Sequence, residues 1–444
     1  MPMKLIKHIV ISDIDSDNKI MINSLNGLMD SINKAAFDAI IAWQDKDIIE
    51  PNGDFEVALY DSLKSRGYLT KCYQHELVKK EFILEALRKR HAKSKANKSH
   101  LTFVMTYDCN FRCPYCFEEG IEKRKGIMTP ELIDAALNLA GDGLEVVGLF
   151  GGEPLLPETK SAVEYIISKL PDKLFEITTN GYYLEEFFDL LSTANIQRIL
   201  VTLDGEEDAH DSRRFLESGE RTFKKITDGV SKYLEAGIPI CVRMNVDSSN
   251  FDDCNRLQER LLNKYKNNDV LTFEMAPMLG AADKERNNLI TDMYKRGVKL
   301  TREERIRKNN LITTNNPIIN SFTAAQTMSP LYSFCYAHEN KLAVDPYGNI
   351  FTCLITVGMD DLAAGKYYPV VEFKENSIYN RNIDTIPECR DCIYSLLCGG
   401  GCAMTLPSYD DWLRPACSVV KNQVHQLLPK LYKAKLQEEA DAAV

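Results

Sequence analysis

Cys109-Asn110-Phe111-Arg112-Cys113-Pro114-Tyr115-Cys116 stands just after an apolar run, residues 101–106, that reads as a β-strand. Three thiolates at this CX3CX2C spacing can hold three irons of a cubane four-iron four-sulfur cluster and leave the fourth iron open. A tetrahedral zinc site wants a fourth ligand close by. The next histidine or cysteine is His210, far along the chain. A structural zinc or iron knuckle is the competing reading of the spacing alone.

Outward from this stretch, strands and helices alternate. Strand-like runs are expected at 101–106, 145–150, 174–178, 198–203, 238–246 and 270–275. Amphipathic stretches separate them, and the first opens on Thr129-Pro130 as cap and first helical residue. Six β-α repeats imply an α/β fold around a parallel sheet, either open or curled into part of a barrel. Chemistry is then expected in the loops at the C-terminal ends of the strands.

Those loops carry a succession of short motifs. They are Gly151-Gly152-Glu153-Pro154, Thr178-Thr179-Asn180-Gly181, Thr202-Leu203-Asp204-Gly205, His210-Asp211-Ser212-Arg213-Arg214 and Arg243-Met244-Asn245. Each has a plain structural reading as turn, helix cap or ion pair. With the three cysteines, the ordered set resembles the radical S-adenosylmethionine (SAM) superfamily. The resemblance implies a partial (β/α)6 barrel whose open iron is chelated by the amino and carboxylate groups of SAM. One electron then cleaves SAM to methionine and a 5′-deoxyadenosyl radical. It nominates Gly151, Gly152, Glu153, Thr179, Asn180, Thr202, Asp204, Arg214 and Arg243 as SAM contacts, with Thr202 where serine is more usual. No general base stands out; Glu274, at the end of the sixth run, is the catalytic candidate.

Thirteen cysteines stand in the 444 residues. In an untargeted chain, clustered thiols point to metal or redox chemistry in a reducing compartment. Seven of them form a second cluster: Cys335, then Gly348 and Cys353, then Cys389, Cys392, Cys398 and Cys402, and last Cys417. A two-zinc ribbon would also fit the spacing. The order resembles the SPASM domain, an extension of radical SAM enzymes with two auxiliary clusters. That resemblance implies one four-iron cluster on Cys389, Cys392, Cys398 and Cys417, and another on Cys335, Cys353 and Cys402. Some relatives supply an eighth cysteine where Ser329 stands here, so the latter site is left with three evident ligands. Cys241 or Cys254 could complete it, or a substrate thiolate could bind an open iron. The scattered Cys72, Cys241 and Cys254 otherwise read as small buried hydrophobes.

The front of the chain reads as a separate winged-helix-like module. Short strands are expected at 8–14 and 19–24, helices at 33–44 and 54–66, a return at 68–70, and a charged helical connector at 76–98. The pattern resembles PqqD-like elements that recognise the leaders of ribosomally made peptides by strand addition, with 19–24 or its partner as the edge. A DNA-binding winged helix competes. Against it stand 64 acidic and 54 basic residues, a net charge of −10, and no basic recognition helix.

The expected organisation is a leader-recognition domain over 1–95, the barrel over 100–290, a linker over 291–330, a SPASM domain over 331–425 and a C-terminal helix over 426–444. No apolar run approaches the roughly 18 residues of a membrane span, and no signal peptide is evident, so the expected setting is cytoplasmic. The expected function is cross-linking of a ribosomal precursor peptide, foremost as a cysteine thioether. Carbon–carbon cross-linking and formylglycine formation on a protein are the alternatives. Expected cofactors are SAM and three 4Fe-4S clusters, and the expected electron source is a flavodoxin or ferredoxin. Neither nucleic acid nor membrane is expected as a partner.

Overall fold

The computed structural model describes residues 3–118, 125–266, 268–278, 283–298 and 328–442. They form two compact units that the chain enters more than once. The first unit holds residues 3–94, 328–339 and 380–442, and the second holds the described residues of 95–298 with 340–379.

In the first unit, β1 (Lys4–Leu5) pairs with β5 (Leu69–Thr70). Strands β2 (Ile9–Asp13), β3 (Asn18–Asn23) and β4 (Met29–Asn33) make an antiparallel meander. Asp15 closes its first turn by accepting the backbone N–H groups of Asp17 and Asn18, both at 2.9 Å. Strand β4 was not legible in the sequence, because Met29 and Ile32 are its only apolar residues. It makes β3 the central strand, so of the two expected edges 19–24 is corrected, while its partner β2 is an edge, as is β4. Asn33 then caps helix Lys34–Trp43 by accepting Ala36 N–H at 2.9 Å, and the helix buries Ala36, Ile40 and Trp43.

Helix Gly53–Ser65 follows, then β5 and the long helix Tyr73–Ala96. Leu84 and Leu87 on that helix pack with Ile6, Leu25, Ile383, Ile386 and Cys389. Segments Cys417–Asn422, Gln423–Leu427 and Leu428–Ala442 run on as consecutive helical turns.

The second unit is an α/β sheet. Strands β6 (His100–Val104), β7 (Val146–Phe150), β8 (Leu174–Thr179), β9 (Ile196–Thr202), β10 (Ile240–Val246) and β11 (Leu271–Pro277) are parallel and adjacent in chain order. Thr129 caps helix Pro130–Ala140 through Leu132 N–H. Four later strands extend the same sheet beyond β6: β12 (Lys341–Val344), β13 (Asn349–Phe351), β14 (Gly365–Lys366) and β15 (Glu372–Phe373). Strand β12 lies parallel to β6, with Leu342 opposite Leu101 and Val344 opposite Phe103, and so covers what would be an open strand edge. That pairing carries 340–379 into the sheet unit, while 380–442 belongs to the first unit, across the contiguous 331–425 segment expected from sequence.

Helix Asp283–Val298 runs into the expected linker because Leu289, Ile290 and Met293 share a buried face. The rest of that linker, 299–327, lies outside the described residues. Among the described residues, no helix is long and apolar enough to cross a membrane.

Candidate active site

The thiolate loop leaves β6 at the strand end where the loops after β7, β8 and β9 also emerge. Gly151 and Gly152 let the β7 loop approach it. Gly152 N–H donates to Thr106 O at 3.0 Å, and Glu153 N–H donates to Asp108 O at 2.9 Å. A Cβ on Gly152 would come within 2.3 Å of Asp108 O, and one on Gly151, whose φ is 137°, within 2.3 Å of Thr106 O. The paired glycines therefore answer a backbone contact.

Glu153 is 1% exposed. Its Oε1 accepts from Thr179 Oγ1 at 2.6 Å and Leu155 N–H at 2.9 Å, and its Oε2 accepts from Asn180 N–H at 2.7 Å. Burial pushes its carboxyl up to about 6, against the pull of these donors. Asn180 then reaches the thiolate loop, with Nδ2 2.8 Å from Asn110 Oδ1 and 4.0 Å from Cys109 Sγ. Cys109 Sγ also accepts Phe111 N–H at 3.4 Å. Burial pushes the Cys109 thiol up to about 12 and raises that of Cys116 as well.

Asp204, fully buried after β9, accepts the Tyr115 hydroxyl and Asn245 N–H, the latter at 2.8 Å. Arg214 Nη1 donates to the same Tyr115 oxygen at 2.9 Å. Burial works against the Arg214 charge, but Tyr115, Cys113 and Asp204 outweigh it, so the guanidinium stays charged. His210 accepts Asp204 N–H on Nδ1 at 3.2 Å and faces Thr222 Oγ1 from Nε2 at 3.1 Å. Burial, then the Arg214 charge, keeps it neutral. Asp211 caps the next helix by accepting Thr222 and Phe223 N–H, both at 2.9 Å.

In the first unit, Cys389, Cys392, Cys398 and Cys417 lie within electrostatic reach of one another. Burial first, then the neighbouring thiols, pushes Cys389 and Cys398 up to about 12. Gly399, Gly400 and Gly401 all have positive φ (57°, 86° and 76°) and wind the chain tightly from Cys398 to Cys402. A Cβ on Gly401 would meet Ala416 O at 2.0 Å. Cys335 and Cys402 belong to this unit, and Cys353 follows β13 in the other. Gly348 (φ 79°) sits in the β12–β13 turn, where a Cβ would approach Tyr368 O to 2.5 Å.

None of the thirteen cysteines is in a disulfide. Among the described residues, no three His, Cys, Asp or Glu side chains converge tightly enough to hold a single metal ion. The Cys109, Cys113 and Cys116 loop supplies three sulfurs, with Phe111 N–H and Asn180 Nδ2 near the first, a donor set that suits an iron–sulfur cluster.

The Radical SAM superfamily model matches residues 103–257. This span is a radical SAM domain. A GTP 3′,8-cyclase from Rhizobium leguminosarum bv. trifolii is 28% identical over 205 residues, covering 44% of this chain and 56% of its own. The chain thus spans about half the length of that curated relative. Native anSMEcpe with bound AdoMet superposes with a TM-score of 0.56 at 18% identity, over 78% of this chain and 98% of its own. The same protein with AdoMet and a Cp18Cys peptide gives 0.54 at 18% identity, over 77% and 98%. Streptococcus suis SuiB bound to S-adenosylmethionine gives 0.55 at 15% identity, over 96% and 100%. These likenesses establish the radical SAM α/β fold. The domain over residues 103–257 calls for SAM and a four-iron cluster.

Within the radical SAM domain, the nominated residues fall into two groups. Gly151, Gly152, Glu153, Thr179, Asn180, Asp204 and Arg214 join the thiolate loop directly or through one another. Thr202 is buried at the end of β9. Arg243 lies elsewhere: its Nη1 donates to Glu274 Oε1 at 2.5 Å, its in-register neighbour on β11. Glu274 is mid-strand, not at a strand end, and also lies 3.9 Å from Arg198. Two guanidiniums hold it as a counter-ion, which disfavours it as a general base. Sequence reading passed over Tyr115, Asn110 and Asp211. Only the position of Tyr115 between two cysteines could have flagged it.

Proposed function

We propose that this enzyme modifies a ribosomally made precursor peptide, binding its leader through residues 1–95 and forming a cross-link, foremost a cysteine thioether. One observation carries the reading: β4 is a sheet edge beside a groove. Ile32, Phe55, Leu59, Leu63, Arg66 and Tyr68 line it, between the meander and helix Gly53–Ser65. An extended peptide can pair its backbone with such an edge and place alternate side chains in the groove. A likeness to a fold solved with a Cp18Cys peptide is consistent with a peptide substrate.

Cys109, Cys113 and Cys116 would hold the SAM-binding cluster. Bound there, cluster and SAM supply one-electron cleavage to a hydrogen-abstracting radical. Glu153 and Asn180 tie two loops to the thiolates, while Tyr115 and Arg214 join them to the Asp204 loop. Auxiliary clusters on the later cysteines would supply an acceptor for the second electron. The matching GTP 3′,8-cyclases favour a second reading, action on a nucleotide. That match covers 44% of this chain, leaving most of it unaddressed.

The test is anaerobic incubation with SAM, reductant and a Cys-bearing precursor peptide, which is expected to be encoded beside the gene. A product two hydrogens lighter per link, with deoxyadenosine, is expected. Deoxyadenosine with unchanged peptide overturns cross-linking, and turnover of GTP would replace the reading with the nucleotide one.

A further inference from the structure

Asp345 opens the turn between β12 and β13 and is fully buried. Its Oδ1 accepts Tyr347 N–H at 2.9 Å and Asn349 N–H at 2.8 Å, and its Oδ2 accepts Asn349 Nδ2 at 2.9 Å. These three donors belong to the turn itself. The fourth does not: the Tyr107 hydroxyl donates to Oδ2 at 2.8 Å from 238 residues away. Tyr107 is 3% exposed and stands two residues before Cys109, at the entry to the thiolate loop. Its ring packs with Val104, Ala343 and Phe351 and stacks on Tyr347 at 6.1 Å between centroids. Its carbonyl faces the β7 loop, where a Cβ on Gly152 would come within 2.8 Å of it. All these residues lie in the sheet unit, yet Asp345 falls outside the 103–257 span of the radical SAM match.

Resting on the assignment of a SAM-binding cluster to Cys109, Cys113 and Cys116, we infer that Asp345 is a positioning residue for SAM. Through Tyr107 it holds the entry of the thiolate loop in the shape that the ligand needs. A hydrogen bond to a carboxylate is stronger than one between neutral groups. A phenol without an acceptor in these apolar surroundings is costly, so the pair selects one loop position. The three turn donors keep the carboxylate in place whether or not Tyr107 reaches it. Asp345 is therefore the anchor, and the loop is the part that yields. Binding to a loop already in place avoids the cost of ordering it, and a loop in place only part of the time weakens affinity in proportion. A late segment of the chain thus helps to shape a cofactor site whose ligands come early in it.

The test is equilibrium dialysis of labelled SAM against the anaerobically reconstituted, unreduced full chain, which reads affinity without turnover. Tyr107→Phe keeps the ring and its packing but removes the hydroxyl. Asp345→Asn keeps the size of the side chain but removes the charge. Each should raise the Kd for SAM at least about tenfold with iron content retained, and the double variant should bind no more weakly than the worse single one. Lys366→Met disturbs the same hairpin, where Lys366 Nζ lies 2.6 Å from Asn349 Oδ1, and should leave the Kd unchanged. Unchanged affinity in cluster-loaded Tyr107→Phe, additive weakening in the double variant, or equal weakening by Lys366→Met would reduce the contact to hairpin packing and overturn the inference. Failure of the unaltered protein to retain SAM would instead overturn the cluster assignment beneath it.

Discussion

Tyr115, between the second and third cysteines of the thiolate loop, donates its hydroxyl to the fully buried carboxylate of Asp204 beyond β9. Arg214 donates to the same hydroxyl at 2.9 Å. One phenol thus links a cysteine-bearing loop to a loop three strands away in the sheet.

Tyr115→Phe removes that link and leaves a buried carboxylate oxygen one donor short. A loss of about 1–3 kcal/mol in stability is expected. Denaturant melts of the anaerobic protein, alongside its iron content, check it. No change in either would mean that the phenol is a bystander.

Gly152→Ala places a methyl group within 2.3 Å of Asp108 O, a backbone atom that cannot step aside cheaply. The thiolate loop should be displaced. SAM cleavage and the SAM-responsive spectral change should be lost, while the auxiliary signals persist. Retained cleavage would show that the loops need not approach this closely.

Burial pushes the metal-free thiols of Cys389 and Cys398 up to about 12, so both are protonated near neutrality. Ligation needs thiolates, so cluster assembly must release these protons and should be favoured as pH rises. In the metal-free fold the sign reverses. The unfolded thiols ionise first, near their model value of 9.0, so stability falls as pH climbs from there toward 12. Proton release during anaerobic reconstitution, followed from pH 7 to 9, tests the first statement. Urea melts of metal-free protein above pH 9 test the second.

Phe55, 51% exposed, lines the groove beside β4. Phe55→Asp should weaken binding of the precursor's leader at least tenfold, with little effect on thermal stability. Fluorescence anisotropy with a labelled leader measures it. Equal affinity would move the docking site elsewhere.

Much of the catalytic unit was legible because its signals are local. The apolar runs that form β6 to β11 end within a few residues of where periodicity puts them, and the cysteine spacing points to its own chemistry. Strand β4 escaped because two apolar residues in five make no visible alternation. Arg381 escaped because no sequence pattern marks a cation whose partners are carbonyl oxygens from Gly400, Trp412 and Arg414.

Sequence alone determined the α/β alternation, the three cysteines after β6, and the glycines where the chain must turn sharply. Tertiary structure decided which strand covers β6, which carboxylates serve as struts, and which carbonyls hold Arg381. Those outcomes depend on groups far apart in the chain competing for the same edge, donor or charge. Local periodicity carries no record of that competition.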